Sequence, residues 1–171
     1  METNIYKTPK SDLNKENRGI LLMPRLSAWY VFFLSLITLY LFAIYWMYDR
    51  SKRLNDISVE KQVSPFLYQV FAVFWLATFA LEVTSSVSEL GIVNESWYVW
   101  STLISNLGIL VWAFSMRYVL RWVLLKENLS EIKVSGLLTF LFGPFYLAYK
   151  INQAIDLAAQ SNHQPDNILI G

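Results

Sequence analysis

Polar and apolar residues along this chain are sorted into blocks. Four uncharged apolar segments, at about 27–48, 65–83, 97–116 and 135–149, are separated by short polar connectors. Segment one, Ser27 to Tyr48, has about 22 residues, enough to cross a ~30 Å hydrocarbon core as a helix. Trp29 and Tyr30 mark one of its ends and Tyr45, Trp46 and Tyr48 the other, as aromatic side chains do at the two headgroup levels. Segment two opens on Ser64-Pro65, a helix cap followed by proline at the first helical position, and carries no charge before Glu82. Segment three starts at Trp97-Tyr98-Val99-Trp100 and is apolar to Met116. It is expected to continue helically through Arg117 and Arg121 to Leu125, with both arginine stems snorkelling to the headgroups. Segment four has only about 15 residues and contains Gly143-Pro144, a strong helix interrupter. The pattern predicts an all-α, integral membrane helical bundle with four hydrophobic segments.

The same pattern divides the chain into a flexible polar N-terminal tail (1–24), a membrane-embedded helical domain (25–157) and a polar C-terminal tail (158–171). Within the first tail, Ile20-Leu21-Leu22-Met23-Pro24 forms an apolar patch suited to an interfacial foot. Ala77, Ala80, Thr84 and Ser88 fall on one face of segment two, a spacing that lets helices approach closely. Segments one and four share a weak repeat at an offset of 101: Leu36-Ile37-Thr38 matches Leu137-Leu138-Thr139, and Tyr45 and Tyr48 match Tyr146 and Tyr149.

Charge turns this pattern into a question of topology. Of 14 Lys and Arg, five precede segment one, four follow it, four lie from Arg117 to Lys133, and Lys150 ends segment four. The polar loop 84–96 has none. Four full spans would place six on one side and eight on the other, almost no bias. If segments one and four are re-entrant, entering and leaving on one side, all 14 share a face and the polar loop lies alone opposite. The positive-inside rule favours such asymmetry, and Gly143-Pro144 supplies a means of turning segment four, whereas segment one has no Gly or Pro. Both arrangements stay open, and in either the polar loop faces away from the cytoplasm.

Composition agrees with a membrane chain: 171 residues, 55% hydrophobic, net charge +1. The near-neutral balance offers no basic footprint for nucleic acid. With no cysteine and one histidine, His163 in the C-terminal tail, thiolate chemistry, disulfides and histidine-based metal sites lack their residues. The first apolar run ends without a small-residue cleavage motif, so segment one is expected to be retained.

The run Ala43-Ile44-Tyr45-Trp46-Met47-Tyr48-Asp49-Arg50, followed by Arg53-Leu54-Asn55, resembles an uncharacterised family of small bacterial multi-pass membrane proteins. In that family a Tyr-x-x-Tyr-Trp-x-Tyr type helix end precedes basic residues and Leu-Asn. Ser64-Pro65-Phe66 and Tyr146-x-x-Tyr149-Lys150-Ile151-Asn152 are similar to the same pattern, although Phe42 and Ala43 stand where members often carry glycine. The resemblance implies a bacterial inner-membrane setting and carries no catalytic residues with it.

Two groups of side chains are candidates for contacts. Arg50, Lys52, Arg53, Arg117 and Arg121 are placed to meet anionic lipid headgroups, an attraction worth about 1 kcal/mol per cation near the surface. Glu82, Ser101, Ser105 and Asn106 are candidate intramembrane polar contacts, since such groups pair with one another or mark an ion or solute path. No phosphate-cradling glycine loop, nucleophile elbow or paired carboxylates are found, so no catalytic, cofactor or metal residues are assigned. The sequence therefore favours a non-enzymatic scaffold, assembly or accessory subunit, with the bilayer and other membrane proteins, or its own copies, as partners. A small homo-oligomeric channel or transporter and a lipid-binding or membrane-shaping protein are the alternatives.

Overall fold

The structure is a computed structural model, and it describes residues 19–88 and 94–163. The expected N-terminal tail to Arg18, Glu89 in the polar loop and the C-terminal tail from residue 164 lie outside the described residues. Among the described residues every regular element is helical. A short 3-10 helix (Gly19–Leu22) is followed by α1 (Ala28–Ile37), α2 (Leu41–Ile57), α3 (Pro65–Ser88), α4 (Glu95–Lys126) and α5 (Gly136–His163).

Segments two and three each form one uninterrupted helix. Pro65–Ser86 and Ser96–Lys126 are long and apolar enough to cross a membrane. Asn94 starts α4 by accepting the Trp97 backbone N–H on its side chain at 2.9 Å. The helix then continues past Arg117 and Arg121 to Lys126, as the sequence leads one to expect. Large apolar side chains stand exposed along both helices, among them Val73, Leu76, Val99, Trp100, Ile104 and Leu107. Gly108 brings the pair together, because a Cβ there would lie 2.4 Å from two ring carbons of Phe71. The small-residue face of segment two is not the packing face: Ala77, Ala80 and Thr84 are exposed. Tyr68, Phe71 and Thr78 are buried instead, so large side chains against one glycine make the contact.

Segments one and four are not single helices long enough to span, so of the four hydrophobic segments expected to build the bundle only two and three are candidate spans among the described residues. Segment one breaks at Thr38-Leu39-Tyr40, where Leu39 and Tyr40 have φ of 50° and 67°. This left-handed region costs a non-glycine residue about 1–2 kcal/mol. Thr38 bridges the break: its hydroxyl donates to the Leu34 carbonyl at 2.7 Å and accepts the Phe42 N–H at 3.0 Å. Beyond it the chain folds back. The Tyr30 and Phe42 rings meet at 6.1 Å, whereas a straight helix would separate the two residues by about 18 Å. Segment four breaks at Gly143, whose φ of 43° and ψ of −118° belong to glycine alone. Pro144 follows, lacking the N–H that would continue the ladder. Here too the chain returns, since the Tyr146 hydroxyl accepts the backbone N–H of Ser135 at 2.8 Å. The two hairpins touch through Phe32 and Phe145 at 5.3 Å.

The entrances and exits of both hairpins converge on a packed base. Asn152 donates to the Leu26 carbonyl at 2.6 Å and Arg25 pairs with Asp156 at 3.0 Å, tying the entry to α1 against the second half of α5. Gly19 lies against Ile57 at the end of α2, and the Ile20 N–H donates to Glu127 just past α4. The apolar patch at Ile20–Pro24 is therefore not a free foot: Ile20 and Met23 are buried in the base with Leu54, Val63, Leu120, Leu124, Leu129, Ile151 and Ala158. α5 runs on to His163, so the first residues assigned to the C-terminal tail are helical.

Candidate functional site

Three polar arrangements stand out, and each can be built from the helices that carry it. The first lies between α3 and α4. Glu82, Ser101, Ser105 and Asn106, singled out separately in the sequence, line one cavity of about 430 Å³ with Tyr40, Thr78 and Thr102. Helical spacing explains the α4 contribution, because positions 101, 105 and 106 fall within four or five residues of one another on one side of the helix. Ser101 is buried and its hydroxyl donates to Glu82 Oε1 at 3.4 Å and to the Tyr98 carbonyl at 3.2 Å. Tyr40, Trp75, Asn106 and Ile109 also line a neighbouring apolar cavity of about 490 Å³ that reaches Met47 and the Gly143-Pro144 break. Polar and apolar compartments thus adjoin at the tip of the first hairpin. One carboxylate among hydroxyls and an amide can attract a cation or donor-rich group. Among the described residues the cavity lining holds no second carboxylate and no histidine or lysine; Tyr40 is the other titratable side chain there.

The second arrangement is basic and sits where α4 and α5 are joined. Arg117 and Arg121 are one helical turn apart on α4, and the connector folds Lys133 back beside them. The three surround a cavity of about 400 Å³ whose remaining lining is Leu124, Leu125, Ser130, Ile132 and Val134. Arg117 Nε donates to the Val134 carbonyl at 3.1 Å, which fixes that guanidinium against the start of α5. Of the expected lipid-facing cations, Arg117 and Arg121 are brought together here. Lys133 was missed, because its partners lie 12 and 16 residues earlier and meet it only through the turn after α4. Lys52 is exposed on α2. Arg53 shares the carboxylate of Asp49, with both oxygens at 2.9 Å, and this contact raises its pKa.

Arg50 departs from the expectation of a headgroup contact. It is 1% exposed, and its guanidinium lies 5.9 Å from the centroid of the Trp46 ring, one turn earlier on α2. Asp49 approaches Nε at 3.9 Å, while both terminal nitrogens lack a hydrogen-bond partner. Desolvation lowers its pKa. The side chain belongs to a packed aromatic layer, in which Trp46 meets Trp112 edge to face at 6.2 Å and Trp112 Nε1 donates to Ser51 Oγ at 2.7 Å.

Part of the aromatic motif has structural duties in the base, while Tyr45 and Tyr48 are exposed. Trp46 and Leu54 are buried. The Asn55 amide bonds both the N–H and the carbonyl of Val63 at 2.8 Å, closing the α2–α3 connector. Among the described residues, no group of three or more His, Asp or Glu is placed to hold a metal ion.

No protein-family model matches the chain, no curated protein is similar to it, and no solved structure resembles it.

Proposed function

We propose that this chain is a non-enzymatic membrane protein with two spans, α3 and α4, and two half-depth hairpins inserted from its basic face, and that it acts as a wedge-shaped scaffold in that leaflet. One observation carries this reading: both broken segments fold back on themselves, and all ten Lys and Arg of the described residues fall outside the apolar stretches 27–48, 65–83, 97–116 and 135–149. α1 has 10 residues, about 15 Å of helix, and the first arm of α5, residues 136–142, about 10 Å. Each arm reaches half or less of a ~30 Å hydrocarbon core. The basic-side leaflet then accommodates two spans and four hairpin arms, and the other leaflet two spans alone. Excess protein volume on one side favours curved bilayers.

The base would lie on the cytoplasmic side of a bacterial inner membrane. The positive-inside rule supports this side, and the aromatic-motif resemblance supports this membrane. Backbone that breaks inside the bilayer is tolerated where protein covers it; Thr38 bridging and the Phe32–Phe145 contact fit that requirement.

The lack of native cysteine permits a direct test with single-cysteine variants and an impermeant maleimide in intact cells. Ser96 should label in intact cells, whereas Leu22, Lys52, Ser130 and Gln160 should all stay protected until the cells are permeabilised. Opposite labelling of Leu22 and Lys52 would make segment one a span and remove the wedge. Purified protein should also favour small vesicles over large ones, and equal partitioning would leave the topology without the shaping role.

The polar cavity favours a second reading, a small channel or transporter that passes a cation or polar solute along Glu82, Ser105 and Asn106. Liposome flux lost on Glu82→Gln or Asn106→Leu would support it, and absence of flux in the unmodified protein would end it.

A further inference from the structure

The geometry points to the cavity formed by Arg117, Arg121 and Lys133 as a binding site for a phosphate group, carried by a lipid headgroup or free in solution. No Asp or Glu lines that cavity, and the Ser130 hydroxyl adds a further donor. Arg121 and Lys133 make no ion pair with any described residue, whereas Arg25, Arg53 and Lys126 on the same base each hold a carboxylate. Three cations drawn together without a counter-charge repel one another. Like charges one turn apart on a helix are destabilising by a few tenths of a kcal/mol, and a shared anion reverses the sign of that interaction.

The donors suit phosphate in particular. Arg117 spends its Nε on Val134 and sits against Gly136, which leaves its terminal nitrogens available in a fixed orientation. Fixed guanidinium forks bind phosphate oxygens in pairs, and a lysine adds a mobile point charge. Apolar Leu125, Ile132 and Val134 complete the wall, as an acyl or glycerol fragment beside the phosphate requires. The headgroup source rests on the membrane reading above, because it needs the cavity at the level where the apolar part of α4 ends. The cation cluster itself does not depend on that reading.

The test uses the full-length chain in a non-ionic detergent, titrated by calorimetry with inorganic phosphate and with a short-chain phosphatidic acid. The double variant Arg121→Gln/Lys133→Gln should weaken binding about 30-fold, or about fivefold per cation (~1 kcal/mol each). Both side chains are exposed, so the fold should survive. Lys52→Gln, which removes a charge from the same base outside the cavity, should leave affinity unchanged, and Arg121→Lys/Lys133→Arg should retain most of it. Saturable phosphate binding that displaces the lipid assigns the site to a soluble anion. Lipid binding that phosphate does not displace assigns it to a headgroup. Absence of binding by either probe, or an equal loss in Lys52→Gln, overturns the site. Flotation with neutral phosphatidylcholine vesicles tests the membrane reading separately, since neither outcome there depends on the three cations.

Discussion

Substitution of Gly108 by alanine probes the crossing of the two long helices, and its size can be worked from the geometry. The new Cβ would stand 2.4 Å from both Cδ2 and Cε2 of Phe71, where ordinary contact begins at 3.4 Å. Phe71 is 8% exposed and part of the main apolar cluster, so its ring must move by about an ångström against packed neighbours. Overpacking of that kind costs about 1–3 kcal/mol. Alanine regains about 1 kcal/mol of helix propensity over glycine, and the net loss is therefore about 0–2 kcal/mol. A single variant does not separate the two contributions, but a double-mutant cycle does. With Phe71→Leu in place the clash is gone, and Gly108→Ala should become neutral or stabilising by up to about 1 kcal/mol. The expected coupling is about 1–3 kcal/mol, read from reversible unfolding of four proteins in mixed micelles of non-ionic detergent and SDS. Additivity within about 0.5 kcal/mol, the usual limit for independent sites, would refute the close approach of α4 to Phe71.

Two further outcomes follow from the buried polar groups. Arg50→Met removes a desolvated charge whose terminal nitrogens have no partner, while Asp49 keeps its bonds to Arg53. Stability should be unchanged or higher by about 1–4 kcal/mol, as when buried ionic groups are replaced by well-packed apolar ones; a loss above about 2 kcal/mol in the same unfolding assay would show that the guanidinium has a partner. Asn55→Ala strips Val63, which is fully buried, of hydrogen-bond partners for both its N–H and its carbonyl. The expected cost is about 1–3 kcal/mol with faster hydrogen exchange at Val63, and unaltered exchange there would count against the clamp.

Segments two and three were legible because their signals are local. Ser64-Pro65 starts a helix by a known rule, and unbroken apolar runs have no competing structure to adopt; the Asn94 cap, which starts α4 inside the expected polar loop, came only from the structure. The Gly143-Pro144 interruption was equally plain. The burial of Arg50 had a visible cue that counting charges by connector passes over: it lies four residues after Trp46 and four before Leu54, which places all three on one face of a helix. Lys133 had no such cue. Its place beside Arg117 and Arg121 depends on how Glu127–Ser135 folds, and that turn is set by Leu129, Ile132 and Val134 entering the base.

The break in segment one shows most clearly why some of the fold escapes sequence reading. The repeat aligned Thr38 with Thr139, and both hydroxyls donate back to the carbonyl four residues earlier, Leu34 and Ser135. Their surroundings then diverge. In segment four a glycine adopts its φ of 43° with little steric cost, and the bend is written in the residue that makes it. In segment one Leu39 and Tyr40 enter the left-handed region at about 1–2 kcal/mol each, and nothing in their identity announces it. That cost must be met by contacts distant in sequence. The candidates are the burial of Val31, Ala43, Ile44 and Trp46, the Phe32–Phe145 ring contact, and the Asn152 bond to Leu26. Full burial of one such side chain is worth about 1.5–3 kcal/mol, so two or three of them suffice. The first hairpin therefore depends on its neighbours: α5 meets its first arm through Phe32–Phe145 and its entry through Asn152, α4 meets its second arm through Trp112 and Trp46, and a reading of residues 27–48 alone returns a straight helix.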